Sequence, residues 1–484
     1  MSDEISDTWE SLPHKDQLAV LTLCRIIDFF QMVSFQAICY YQLKSFNPSA
    51  TEQVLSWQTG VALASFTASQ ACTAIPWGYV ADAKWGGRRN ALLIGLVGTS
   101  LSCLGVAFSR SFTSVVIFRT AGGAMNGTVG VVRTMMSDVI RHKRHQSRAF
   151  LLLPASFSVA ALIGPAFAGW LSDPVITYPI VFGHVEWLRL YAYSLPSLLS
   201  ALLLLLTSVI VLLILRERRW FNEKASPKPP RLRAKLSFRQ IWTPNVTLTM
   251  VSLAFFEFHL GAFGSAWPLL LSSPRNSSAA ISNLDQKFGG GLGLSPQSLG
   301  YTMAFAGLAG LLLQFLFYPV VHKRWGTLKC YRFFSLLFPV VYVTSPFLVV
   351  IASSSVAFTK TFTWIFLLIL LFIHSTGRIF CVPTSIILLN NCSPHPSVLG
   401  MVHGIGQAIA AAFRTLGPIC AGYLHAVAIA HRVIGLSWWV VSGATLLAWL
   451  VSLMMREGSG YEIILPCEES FYDGEMKASR SDQI

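Results

Sequence analysis

The chain has 484 residues, 53% of them hydrophobic and only 12% charged, with a mean hydropathy of +0.56. Soluble domains carry roughly 25% charged residues, so a soluble globular protein is excluded. The net charge of +14 is dispersed in short clusters between apolar runs rather than gathered in a basic domain, which argues against nucleic-acid binding and for a chain threaded through a membrane.

The first seventeen residues, MSDEISDTWESLPHKDQ, are acidic and polar and read as a cytoplasmic tail. The apolar run that follows is too long for a signal-peptide core and shows no clear cleavage site, so it is expected to stay as the first span. Twelve candidate spans lie near 18–41, 59–80, 90–108, 113–139, 149–171, 191–215, 246–271, 299–321, 331–352, 362–389, 399–424 and 435–455, each close to the roughly 20 apolar residues that cross a bilayer. The expected fold class is an all-α membrane protein of twelve transmembrane helices in two six-helix bundles, residues 18–215 and 246–455.

Lys and Arg set the orientation. The 2–3 connection has Lys84, Arg88 and Arg89, the 4–5 connection Arg141, Lys143, Arg144 and Arg148, and the 8–9 connection Lys323, Arg324, Lys329 and Arg332. Residues 216–245 hold nine basic residues between Arg216 and Arg239, and read as a cytoplasmic linker rather than a folded domain. The alternate loops are poor in Lys and Arg, so both termini, including the polar tail 456–484, are expected in the cytoplasm. The long seventh loop then faces outside or a lumen, and Asn276-Ser277-Ser278 in it is a glycosylation sequon.

Charges within the spans are costly, about 2.5–3.5 kcal/mol each at mid-bilayer, and each marks a candidate site. On the first span Arg25 and Asp28 share a face at i, i+3. Asp28 is about ten residues in, hence about 15 Å deep, and fits a proton carrier that pairs with Arg25 or with Arg119 of span 4 when ionised. Glu257 and His259 are the acid and base of span 7. Glu257 suits proton coupling or contact with a cationic substrate, or is an acid facing the cytoplasm near its helix start. His374 and Arg378 share a face of span 10 at i, i+4, and His403, Gln407 and Arg414 form a stripe on span 11. With His259 these are candidate cavity-lining residues.

Two stretches are related. LIGPAFAGWL (162–171) ends span 5 and TLGPICAGYL (415–424) ends span 11, the fifth span of the second half, so Gly164, Pro165 and Gly169 recur as Gly417, Pro418 and Gly422, 253 residues on. Proline bends a span and small residues let helices approach, so a shared mechanical role is expected. After span 2 comes GYVADAKWGGRRNALL. Gly78 permits close helix contact. Asp82 stands one turn further on, at a helix end where it can meet the positive terminus of another helix. Gly87, Arg88 and Arg89 follow, and the arginines can pair with an acid such as Asp138 to make a cytoplasmic gate.

These residues resemble the loop motif of the major facilitator superfamily, Gly-x-x-x-Asp followed by Gly-Arg-Lys or Gly-Arg-Arg. The longer gap from Asp82 to Gly87 resembles a branch of fungal drug/proton antiporters and zinc-induced-facilitator-like carriers. FRTAGGAMNGTVGVVRTMMSD is similar to the family's span-4 motif, which implies a proton-coupling role for Arg119, with glycines Gly122, Gly123 and Gly127. LLLPASFSVAALIGPAFAGW is similar to the antiporter motif of span 5, with Ala160 where a glycine is usual. The resemblance covers roughly residues 17–460 and implies a monomeric secondary transporter that exports a small organic molecule in exchange for protons. Uptake by symport and a transport-inactive sensor are the alternatives. Its expected partners are lipid, protons and substrate, without nucleic acid. It is expected in the plasma membrane, or alternatively the vacuolar membrane.

An enzyme is not expected: HExxH, GxSxG and GxxxxGK[ST] are all missing from the sequence. Nine cysteines are scattered without a CxxC pair, so neither a metal nor a cofactor is expected.

Overall fold

A computed structural model describes residues 14–83, 86–140, 143–216, 238–275, 290–353, 359–395, 398–458 and 462–463. The sequon at Asn276, most of the linker and most of both tails lie outside the described residues. A helix occupies each of the twelve expected positions. They are α1 (Lys15–Phe46), α2 (Glu52–Asp82), α3 (Arg88–Ala107), α4 (Phe112–Met125 continued by Thr128–Val139), α5 (Lys143–Trp170) and α6 (Ser194–Ile214). The second set is α7 (Pro244–Ser272), α8 (Pro296–Leu312, continued to Trp325), α9 (Thr327–Ser335, Leu337–Thr344 and Phe347–Ala352), α10 (Thr359–Asn391), α11 (Leu399–Ala430) and α12 (Gly435–Met454).

Nine helices among the described residues are long and apolar enough to cross a membrane. The three expected positions outside that set are α2, α9 and α11. Serine, threonine and glutamine dilute α2, glycine and polar residues dilute α11, and α9 is broken into three pieces. Pro346, which has no N–H to donate, stands at the second break of α9. The break in α4 falls at Asn126-Gly127, where the Asn126 side chain accepts the N–H of Thr128 at 3.2 Å and so caps the second piece.

The two bundles have different cores. The first is aliphatic and small, with Leu21, Leu92, Leu96, Val132 and Leu204 at its centre. The second is aromatic, built on Trp267, Phe338, Tyr342, Phe380 and Trp438. Arg332 ties α9 to the end of α12: its guanidinium donates to the carbonyls of Ser452 (2.9 Å), Leu453 (3.0 Å) and Met455 (2.8 Å). They belong to the last turn of α12, where helix carbonyls run out of N–H partners; that of Ser452 also accepts the N–H of Met455 at 3.3 Å. Arg332→Ala is expected to destabilise the folded protein by about 1.5–3 kcal/mol, read as a lower unfolding midpoint in detergent; an unchanged midpoint would contradict this.

The paired Gly-Pro motifs do the same work twice. The first glycine of each packs within its own bundle: a Cβ on Gly164 would meet Val33 of α1 at 2.7 Å, and one on Gly417 would meet Ala262 of α7 at 2.6 Å. The second glycine crosses to the other bundle. A Cβ on Gly169 would lie 2.7 Å from the carbonyl of Pro296 at the start of α8, and one on Gly422 2.7 Å from the carbonyl of Ser56 on α2. The proline carbonyls are met in turn by glycines of the opposite half, that of Pro165 by Gly300 and that of Pro418 by Gly60. Helix pairs α5/α8 and α2/α11 therefore close one end of the molecule. At the periphery of this contact Trp170 donates to the Tyr301 hydroxyl at 2.6 Å, both side chains staying partly exposed.

Taking the ends rich in Lys and Arg as inner, this closed end is the outer one. The α2/α11 contact does not continue inward. Gly78 and Gly404 each lie eighteen residues, five turns, from Gly60 and Gly422 and so on the same faces. Neither has any atom within 4 Å of where a Cβ would stand, and Tyr79 beside Gly78 is 76% exposed. Along α2 and α11 the two bundles are closed outside and parted inside, while α5 and α8 stay in contact further in, Gln314 donating to the Leu151 carbonyl at 3.2 Å.

Candidate functional site

The charged residues of the spans gather where the bundles face one another. Asp28 is buried and fully engaged. It takes Arg25 Nη1 at 2.5 Å, Asn126 Nδ2 at 2.6 Å and the Thr128 hydroxyl at 2.9 Å. The break in α4 is what turns Asn126 and Thr128 toward it. Three donors thus meet one carboxylate, from α1 and from both sides of the break in α4.

Of the two partners expected for Asp28, the structure selects Arg25. Arg119 lies apart, between the rings of Phe35 and Phe66 with its guanidinium carbon 4.4 and 4.5 Å from their centroids, and donates to Gln31 Oε1 at 3.0 Å. It lines a small cavity inside the first bundle with Cys103, Ser197 and Ser200. Cation–π contacts take the place of a counter-ion there.

Glu257 pairs with Arg414 across α7 and α11, at 2.7 Å to Nη2 and 2.8 Å to Nε. Both nitrogens reach the same carboxylate oxygen, Oε2, a charge-assisted contact. Of the roles its sequence position allowed, Glu257 is seen here paired with an arginine. The Arg414 side chain is 50% exposed although it lies halfway along α11. A guanidinium so placed needs water rather than hydrocarbon, which agrees with a cavity entered from the inner end.

A column of rings joins this cavity to the Asp28 site. Arg25 stands 4.1 Å over Phe29, Phe29 meets Phe157 of α5 edge-on at 5.1 Å, and Arg378 of α10 lies 3.4 Å over the other partner ring, Phe157. Arg25, Asp28, Arg133, Glu257, Arg378 and Arg414 thus form one group within electrostatic range, drawn from α1, α4, α7, α10 and α11.

The histidines divide. His259 and His374 are buried in the core of the second bundle, not on the cavity wall. His259 Nδ1 and the Tyr342 hydroxyl are 2.9 Å apart, the same hydroxyl lies 3.5 Å from His374 Nε2, and His374 stacks on Phe263 at 3.6 Å. Their faces of α7 and α10 turn inward because the aromatic core needs flat partners. His403 meets Asn390 Oδ1 at 3.3 Å, and Gln407 is exposed on the same helix as Arg414. At the inner loops, Gly87 between α2 and α3 takes φ 78° and Gly326 between α8 and α9 takes φ 74°, a conformation that favours glycine, so the two halves share this turn. Arg89 donates to the carbonyl of Leu212 on α6 and so ties α3 within its own bundle. The side chains of Asp82 and Asp138 lie outside the described residues. Gly78 makes no close helix contact in this arrangement, because the inner ends have separated.

Sequence reading passed over Gln31, Asn126, Thr128, Arg133, Phe157, Gly60 and Gly300. Arg133 stands in the same stretch as Arg119, and an arginine inside a span was signal enough to weigh it. Gly60 and Gly300 carry no local signal, since their role is set by the opposite bundle.

Comparison with known proteins agrees with this architecture. The family model described as Major Facilitator Superfamily matches residues 21–338. The chain is 25% identical to the major facilitator superfamily multidrug transporter mfsB of Aspergillus fumigatus, over 93% of this chain and 85% of that protein. It is 23% identical to the protein ZINC INDUCED FACILITATOR-LIKE 1 of Arabidopsis thaliana, over 84% of this chain and 82% of that one. Among solved structures, a D-xylose-proton symporter superposes with a TM-score of 0.68 at 14% identity, over 93% of this chain and 99% of the other.

Proposed function

The chain belongs to the major facilitator superfamily, and on that premise we propose that it exports a small organic molecule in exchange for protons by alternating access. One observation carries the reading: two related helix contacts close the end taken as outer, while α2 and α11 stand apart toward the other end, on the side of the Arg25–Asp28 and Arg414–Glu257 pairs. A cavity of this kind receives cargo from the cytoplasmic side. Asp28 is the proton carrier, since its protonation dissolves the contact with Arg25. The name of the Aspergillus fumigatus relative, a multidrug transporter, supports organic molecules as cargo. The plasma membrane is the proposed location.

Proton symport is a second reading, favoured by the charge of the site. Four arginines face two carboxylates in the central group, and an anionic cargo would attract protons rather than repel them. Proteoliposomes with an imposed pH gradient separate the two. Uphill movement of a test compound against the proton flow supports exchange, movement with it supports symport, and no gradient-dependent movement of any compound sinks both.

A further inference from the structure

We propose that the cargo is an organic anion, received by the guanidinium groups of Arg133, Arg378 and Arg414 where the two bundles meet. The proposal rests on the reading that this cavity carries cargo, and holds whichever way the protons move.

Charge is the first argument. Arg25 is matched by Asp28 and Arg414 by Glu257. Arg133 and Arg378 have no acidic partner among the described residues, yet both lie within electrostatic range of Arg414 and Glu257. Two half-buried guanidinium groups without counter-ions are expensive in a low-dielectric setting, and a ligand carboxylate or sulfonate supplies what is missing. A cationic ligand would add to the excess, and Glu257, the acid of this group nearest Arg414 among the described residues, already takes that arginine on Oε2.

Geometry is the second argument. Arg133 comes from the first bundle, and Arg378 and Arg414 from the second. An anion bridging them would contact both bundles, as a molecule carried by rocking must. Arginine offers a planar fork that fits a carboxylate or sulfonate at two points. Arg378 also stands over Phe157, its guanidinium carbon 3.4 Å from the ring centroid, with Phe29 beyond. This sets an aromatic surface beside the charge, so an anion with a planar apolar body fits better than a small inorganic one.

The test uses the full chain in phosphatidylcholine nanodiscs and three probes of one shape: 2-naphthoate, 2-naphthamide and 2-naphthylmethylammonium. Binding is followed by tryptophan fluorescence. The naphthoate is expected to bind saturably and at least about tenfold more tightly than the amide, one charged contact being worth about that factor; the ammonium probe should not bind. Arg378→Gln should lose most of the preference for naphthoate over the amide. The double variant Glu257→Gln with Arg414→Gln, which leaves no unpaired acid, should weaken naphthoate as well. Equal or tighter binding of the amide or the ammonium probe by the wild-type protein overturns the proposal without any variant, and so does failure of the naphthoate to bind. Displacement of naphthoate by added phosphatidylglycerol would show that the arginines take a lipid headgroup, and would also overturn it. If naphthoate binds and is carried with the proton flow, the export reading fails and this one stands; if an organic cation is carried outward, this one fails and export stands; if naphthoate binds but nothing crosses a sealed bilayer, both fail.

Discussion

Asp28→Asn is expected to abolish transport driven by a pH gradient. The carboxylate is held by Arg25, Asn126 and Thr128 at 2.5–2.9 Å, and asparagine can neither ionise nor give up a proton at working pH. The substitution also strands Arg25, and breaking one side of a buried pair costs about 3–5 kcal/mol, so loss of activity alone would be ambiguous. The double variant Arg25→Gln with Asp28→Asn removes both charges. It should recover most of the unfolding midpoint lost in the single variant and still show no gradient-driven transport. Passive exchange of substrate at equal pH on both sides should persist in it, because the cavity arginines are untouched. Full gradient-driven transport by the double variant would remove Asp28 from the coupling mechanism.

Substitutions at Gly60 and at Gly78 should push the protein in opposite directions. A Cβ on Gly60 would stand 2.5 Å from the Pro418 carbonyl and 3.1 Å from the Gly422 Cα. Both are backbone atoms that cannot swing aside. Gly60→Val should therefore oppose closure of the outer gate by about 1–3 kcal/mol, shifting the ratio of outward-open to inward-open molecules by roughly 5- to 150-fold. Gly78 occupies the same face five turns inward, with open space before it. Gly78→Val is tolerated in the inward-open form and should obstruct closure of the inner end, favouring the conformation described here. Maleimide labelling of a cysteine placed at Ser56, fully buried where α2 meets Gly422, reads the outer gate. Labelling should rise in Gly60→Val and fall in Gly78→Val. The same direction of change in both would contradict the two-gate geometry.

The equivalence of the two Gly-Pro stretches shows how far local sequence reaches. Their repetition was enough to place them at corresponding positions of two halves. Hydropathy placed a helix at every expected position, because the demand for backbone hydrogen bonds within the bilayer is met residue by residue along one segment. The same demand made Arg25, Asp28, Arg119, Glu257, Arg378 and Arg414 visible as candidates, since a charge in an apolar run is anomalous wherever its partner lies.

Which partner each charge finds was decided only by tertiary structure. Arg25 and Arg119 were equal candidates for Asp28, and the rotation of α4 at Asn126-Gly127 settled the matter: it presents Asn126 and Thr128 to Asp28 and leaves Arg119 between two rings. His259 and His374 sit on spans as suitable for lining a cavity as those of Arg378 and Arg414, but the second bundle uses them in its aromatic core. That the second glycine of each motif meets the opposite bundle, and that Gly78 meets nothing, depends on how two rigid halves are tilted against each other. A one-dimensional pattern fixes the face of a helix. The tilt and rotation that choose what the face meets come from all the other helices at once.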